Sequence, residues 1–374
     1  MAPVFRIEPA VQRYAWGHPR QIPELLGFAG DGGPYAEAWW GAHLAAPALA
    51  AGEGLDAVIA RDPLAMLGED VAARWGGLPF LLKVLAIDKP VSIQVHPTVD
   101  QAREIRAAYP SDQCPLPDDG HKPEMVVALT PMRLQVGLRP AVELAADVRE
   151  LGTPHALFLA DIASSGDLAS YVEGVLADDE ARTLLEPLAA AAREGRGSVA
   201  VEAAGHALAC HPGDTGALVA LALNVVDLQP GQACFTGAGI LHSYQSGLGL
   251  EIMASSDNVL RAGLTPKAVH VPLVLDVAHL EPSAPTIPAQ AGDDASRRFL
   301  APAAEFALTV VSDGESTSHS GPRIVLAVDG NATVSVEGET LAVHGGQAVF
   351  VPDADGPVSV VADGLAAIAS VPAA

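Results

Sequence analysis

An alanine-rich block with helical periodicity, residues 140–223, sits between two stretches that read as strands. A sheet drawn from both flanks is therefore discontinuous in sequence, with the helices inserted as a unit. On the upstream side, residues 78–87 (LPFLLKVLAI) form an apolar run broken only by Lys83, the pattern of a strand buried on both faces. Residues 35–43 alternate, so that Glu37, Trp39, Gly41 and His43 share one face. Residues 92–97 (SIQVHP) do the same, with Ser92, Gln94 and His96 on one side and Ile93 and Val95 on the other. Residues 125–129 predict another buried strand. Strand character returns at residue 227 and continues through 241–267.

Helices are expected at 55–75, with Asp62-Pro63 as a start signal, and at 100–108. Within the block, Arg139-Pro140 opens a helix that Gly152 closes. Others are expected near 167–176, 179–194, 198–210 and 214–223, the last with Asp214 as N-cap. No catalytic pattern stands out there, and His206 and His211 read as surface or helix-end residues. From 271 onward, short strands fit 306–311, 322–328, 332–336, 339–343 and 347–351, with Asp329-Gly330 as a hairpin signal. A repeat joins the two strand-rich parts: Gly231-Gln232-Ala233-Cys234-Phe235 resembles Gly346-Gln347-Ala348-Val349-Phe350, and only the first copy leads to a histidine, His242. The expectation is a mainly β chain of two related β-barrels, one metal-binding and one empty. The divisions are a discontinuous catalytic domain (1–139 and 224–270), a helical insertion (140–223) and a C-terminal β-barrel or jelly roll (271–374).

Composition limits the partners. Asp and Glu number 45 against 21 Lys and Arg, a net charge of −24, which argues against nucleic-acid or anionic-membrane binding. No run approaches ~18 uninterrupted apolar residues, and residues 1–10 lack the basic start and apolar block of a secretory signal. Three scattered cysteines, Cys114, Cys210 and Cys234, suggest reduced thiols in a cytoplasmic protein. A monomer is the expectation. Against so acidic a background, Lys83, Lys89, Lys122, Arg261 and Lys267 are informative, because they lie in or near the polar clusters where an anionic ligand could be held.

Those clusters suggest a metal. Gln94 and His96 on one strand face, Glu124 after His121-Lys122-Pro123, and His242 after a Gly-rich turn offer two imidazoles, a carboxylate and an amide oxygen. Bland roles stay open for each: His96 as a core residue, Glu251 as an ion-pair partner of Arg261, Trp16 and Trp39 as core aromatics, Lys122 as a salt-bridge partner.

The strings GQACFTGAGILH, SIQVHP, HKPEM and LHSYQSGLGLEIMASSDNVLRAGLTPK together resemble the type I phosphomannose isomerases of the cupin superfamily, from about Trp16-Gly17 to Lys267. Departures are Gly237 where cupins often have proline, Leu44 after His43, and Ser255 where asparagine is usual. The resemblance implies a zinc-dependent isomerase interconverting mannose 6-phosphate and fructose 6-phosphate through a metal-stabilised cis-enediolate. It implies one Zn²⁺ or another divalent ion per chain, held by Gln94, His96, Glu124 and His242. The family's active-site arginine falls on Arg261, and Trp16, Ser92, Lys122, Tyr244 and Glu251 fall on pocket positions. Phosphate would meet some of Ser92, Lys89, Lys122 and Arg261. Glu251 is the first candidate for the proton-transferring base and Lys122 the second. Other readings are a non-catalytic sugar-sensing cupin and an isomerase of another aldose.

Overall fold

Antiparallel pairing organises residues 4–318 and 320–372, which the computed structural model describes, into two large sheets. In the first, the strand His242–Ala254 is central, pairing with Phe80–Ile87, Glu124–Ala128 and Met132–Leu138. A register shift between Tyr244 and Ser246 marks a bulge; Met132–Leu138 pairs as far as Ser246, and Phe80–Ile87 and Glu124–Ala128 take over from Gly247 and Gly249. The second sheet is built on Arg323–Val336 and Val358–Ser370, paired along nearly their whole lengths. The N-terminal strand Phe5–Glu8 joins this second sheet, pairing with Ala348–Val351. The mainly β class with inserted helices is as expected. Closed barrels are not: both strand orders run from edge to edge, with the remaining strands branching off that path.

The apolar core follows from strand alternation. Ala38, Trp40, Leu82, Val84, Met125, Val127, Leu250 and Ile252 face one way, into a cluster that also takes in Phe299, Phe306, Leu308, Ile324 and Phe350 from the second sheet. Glu37, Trp39, Leu81, Lys83, Leu85, Glu251 and Met253 face the other way, into a cavity. The helices Ala141–Glu150, Leu168–Ala177, Leu185–Arg193, Val199–Cys210 and Gly216–Leu221 pack around a core of their own small and branched residues, including Leu144, Tyr171, Leu188 and Leu218. No helix among the described residues is long and apolar enough to cross a membrane. The three cysteines are free.

Several local expectations are corrected. Residues 55–75 form three short helices, Leu55–Arg61, Pro63–Leu67 and Glu69–Trp75, rather than one. Asp62 does cap the second helix through the Ala65 amide, but with φ −148° and ψ 76° it also ends the first, as a residue before proline tends to do. Gly68, at φ 79°, separates the second from the third. The helix Pro154–Ser164, capped by Thr153, was not anticipated, nor was the strand Val358–Ser370, whose alanines and glycine carry little strand propensity. Within the 179–194 stretch the first turns are 3₁₀, from Asp179 to Leu184.

Asp329-Gly330 is not a hairpin. Arg323–Val336 runs through it, with a register shift between Ala327 and Asp329 and Gly330 at φ 67°. The repeat falls on two buried four-residue strands, Ala233–Thr236 and Ala348–Val351, each preceded by a left-handed glycine, Gly231 and Gly346. A Cβ on Gly330 would stand 2.0 Å from the Asp363 carbonyl oxygen, as well as facing the positive φ. Gly330→Ala is therefore expected to lower unfolding stability by about 1–3 kcal/mol, measured by urea titration; a neutral outcome would mean that the bulge relaxes without strain.

Candidate active site and metal centre

Cross-strand register assembles the site. Gln94 lies opposite His242 on one side and Arg261 on the other, so the three residues form one row across adjacent strands. Further along His242–Ala254, Glu251 is opposite Lys83, and Lys83 is opposite Trp39, making a second row. Glu124 opens its own strand beside Met253. These rows border a cavity of about 600 Å³ that also meets Trp16, Lys89, Ser92, Lys122, Tyr244 and Lys267. His96 lies beneath it, fully buried. All eleven site residues expected from the sequence thus come together.

At the floor, His96, Glu124 and His242 each present a ligand atom within 4.8 Å of the others. His242 Nε2 is 2.9 Å from Glu124 Oε1, and His96 Nε2 is 3.5 Å from Glu124 Oε2. The outer nitrogens are tied to the backbone: His96 Nδ1 is 2.7 Å from the Asn258 carbonyl oxygen, and His242 Nδ1 is 2.8 Å from that of Ile240. A carbonyl only accepts, so Nδ1 carries the hydrogen in both rings and each Nε2 keeps its lone pair for the centre. The Gln94 amide nitrogen donates to Ser92 Oγ at 3.3 Å, leaving its oxygen as an acceptor. Two imidazoles, a carboxylate and an amide oxygen fit a divalent ion of zinc's kind.

The charges are mutually adjusted. Burial, reinforced by the Lys122 ammonium, brings the His96 pKa down to about 4, favouring the neutral ring, the form that could bind a metal. For Glu124, burial alone would raise the pKa; Lys122 and His242 outweigh it and hold the carboxyl well below its usual range. The Lys122 ammonium donates to Glu124 and lies 3.4 Å from His96 Nε2. The Tyr244 hydroxyl donates to Glu124 Oε1 at 3.1 Å, and burial, then that carboxylate, pushes its own pKa well up. Arg261, half-buried, has its pKa lowered by desolvation.

Glu251 does not pair with Arg261. Its Oε2 is 3.1 Å from Lys83 Nζ, which also lies 3.5 Å from Glu37 and 4.8 Å over the Trp39 ring. Burial raises the Glu251 pKa, and Lys83 offsets this only in part. The register explains the choice, since Lys83 is its cross-strand neighbour while Arg261 belongs to the other row. Lys83, singled out from the sequence as a cation for an anionic ligand, is instead committed to Glu37 and Glu251, and this role of Lys83 and Glu37 was not anticipated. The available signal was a lone lysine within an otherwise apolar strand.

Asn258 was also missed. Its side-chain amide donates to the Asp118 and Gly120 carbonyl oxygens at 2.7 Å each, while its own carbonyl orients His96. It thereby ties the loop leading to Lys122 and Glu124 to the ring of His96. The Pro/Asp-rich composition of residues 110–120 gave no hint of this partner. His121, next to Lys122, turns away, with Nε2 2.9 Å from Glu305. His211 is a helix-end residue as expected, but it also borders the cavity and bonds the Pro90 carbonyl oxygen at 2.8 Å.

Comparison with known proteins agrees with this geometry. The family model for the phosphomannose isomerase type I catalytic domain matches residues 4–141. Mannose-6-phosphate isomerase of Escherichia coli (strain K12) is 36% identical over 349 residues, spanning 87% of this chain and 88% of the relative. That of Homo sapiens is 33% identical over 319 residues, spanning 75% and 74%. Among solved structures, an alanine variant of phosphomannose isomerase from Salmonella typhimurium matches with a TM-score of 0.90 at 30% identity, covering 100% of both chains. A zinc-bound mannose 6-phosphate isomerase matches with a TM-score of 0.89 at 31% identity, again over 100% of both. With 36% identity across most of its length and a shared fold throughout, the chain belongs to the type I phosphomannose isomerase family.

Proposed function

We propose that this protein interconverts D-mannose 6-phosphate and D-fructose 6-phosphate at the cavity above His96, Glu124 and His242, with one zinc ion held by those three residues and Gln94. The observation that carries the reading is the convergence of this donor set on the floor of a cavity whose rim is cationic, in a chain of net charge −24. Lys89, Arg261 and Lys267 border that cavity, and none forms a side-chain ion pair among the described residues. Free cations beside a sugar-sized cavity suit a phosphorylated substrate, and Ser92 adds a hydroxyl next to Gln94.

The reaction needs an open-chain sugar held in place, a proton moved between C1 and C2, and the charge developing on oxygen stabilised. When bound, a divalent ion supplies Lewis-acid stabilisation of that charge. Glu251 takes the proton from one carbon and returns it to the other; burial raises its pKa above that of a carboxyl in water, which strengthens it as a base. Lys83 holds the Glu251 carboxylate, and Glu37 in turn holds Lys83. Lys122 and Tyr244 hold Glu124 in place, and Arg261 orients the substrate's oxygens through its planar fork. Trp16 and Trp39 wall the cavity and keep water from the reacting carbons.

A coupled assay of fructose 6-phosphate formation from mannose 6-phosphate is expected to lose signal on chelation and regain it with added Zn²⁺; turnover insensitive to a chelator would remove the metal from the mechanism. His242→Ala is expected to lose bound metal and turnover together while its circular dichroism is unchanged, and metal retained at the wild-type level would assign ligation elsewhere. Glu251→Gln should reduce kcat by ~10²–10⁴-fold with metal content intact. Normal kcat in that variant would transfer the base role to Lys122.

A further inference from the structure

Away from the catalytic cavity, a second group of three ligating side chains converges: His155, Asp178 and Glu180, with one ligand atom of each within 4.8 Å of the others. None of the three borders the cavity. His155 stands in the first turn of Pro154–Ser164, while Asp178 and Glu180 lie where Leu168–Ala177 gives way to the 3₁₀ turns Asp179–Leu184.

Acidic residues near a histidine are common on a surface so negative, and alone they mean little. What distinguishes this group is the imidazole. The His155 side chain is only 9% exposed, and its Nε2 is buried without a hydrogen-bond partner among the described residues. An orphaned buried nitrogen costs free energy that folded proteins avoid. It faces Asp178 Oδ2 at 3.9 Å, too far for a hydrogen bond; two donors on one tetrahedral ion at ~2.0–2.2 Å stand ~3.3–3.6 Å apart, so the half-exposed Asp178 side chain closes by a few tenths of an ångström when the ion binds. Asp178 is already aimed, because its other oxygen accepts the Glu180 amide at 2.9 Å as the cap of the 3₁₀ turns. Glu180 Oε2 lies 3.4 Å from His155 Nδ1 on a largely exposed side chain, free to swing toward the ion.

We propose that His155, Asp178 and Glu180 form a second divalent transition-metal site, separate from the catalytic centre, clipping the start of Pro154–Ser164 to the junction that follows Leu168–Ala177. One imidazole with two carboxylates favours ions of the zinc and cobalt class over magnesium. The clip bridges two helices of the insertion, so its effect falls on the stability of that insertion and not on the chemistry.

The test uses the full-length protein, with wild type, His155→Ala and Asp178→Asn each equilibrated against buffered Zn²⁺ and assayed for zinc per chain and thermal midpoint. Asp178→Asn keeps an acceptor oxygen for the Glu180 amide, so any loss in that variant cannot be attributed to an uncapped turn. The expected result is one more zinc per chain in the wild type than in either variant. Zinc should raise the midpoint more in the wild type, and turnover should be equal in all three once the catalytic ion is loaded. Co²⁺ substitution should show the extra site as added visible absorption, absent from both variants. Equal zinc content and an equal midpoint shift in all three proteins would overturn the proposal and leave His155 as a simple ion-pair partner.

Discussion

The register of one strand, His242–Ala254, governs the site. Its alternation sends Leu250 and Ile252 into the shared core and Glu251 and Met253 into the cavity. Four neighbouring strands are aligned on it, so a slip by one residue would invert every one of these side chains. The bulge between Tyr244 and Ser246 lets the same strand serve two sets of partners. His242 can therefore sit opposite Gln94 near one end, while Glu251 sits opposite Lys83 near the other.

Placing so many charges in the interior is stable only because each compensates another. Glu124 is shared by Lys122, His96, His242 and Tyr244, and Lys83 is shared by Glu37 and Glu251. Breaking a buried pair by removing one partner typically costs ~3–5 kcal/mol, because the other charge is left stranded. The two clusters thus act as supports: Lys83 and Tyr244 fix carboxylates that face the cavity. The cations that do not belong to this balance, Lys89, Arg261 and Lys267, are at the cavity border, where a dianionic ligand would meet them.

The helical insertion contributes to the same region from outside the sheet. The tip of Val199–Cys210 brings His211 to the Pro90 carbonyl oxygen, beside Lys89. Asp214 accepts amides from both Gly216 and Thr265, joining the insertion to the loop that carries Lys267. A block without recognisable catalytic residues therefore helps to set the cavity's edge.

The candidate donor group was legible because its members stand in short strings: SIQVHP, HKPEM and LHSY each deliver a side chain, His96, Glu124 and His242, from a strand end or loop to one place. Period-two alternation likewise foretold that Glu37 and Trp39 share a face, and proline and glycine marked most helix ends. Alternation cannot say which strand lies beside which. That is why an ion pair with Arg261, near in sequence, stands as the bland alternative for Glu251, when pairing gives it Lys83 from far upstream. Asp329-Gly330 read as a turn for a similar reason, since only the long partner Val358–Ser370 reveals that the strand continues through a bulge. The sequence by itself determined the candidate metal donors, the mainly β class and the inserted helices, because these depend on residue type and local period. The tertiary structure alone decided the partners of the buried charges and the open form of the sheets, because both depend on contacts between segments distant along the chain.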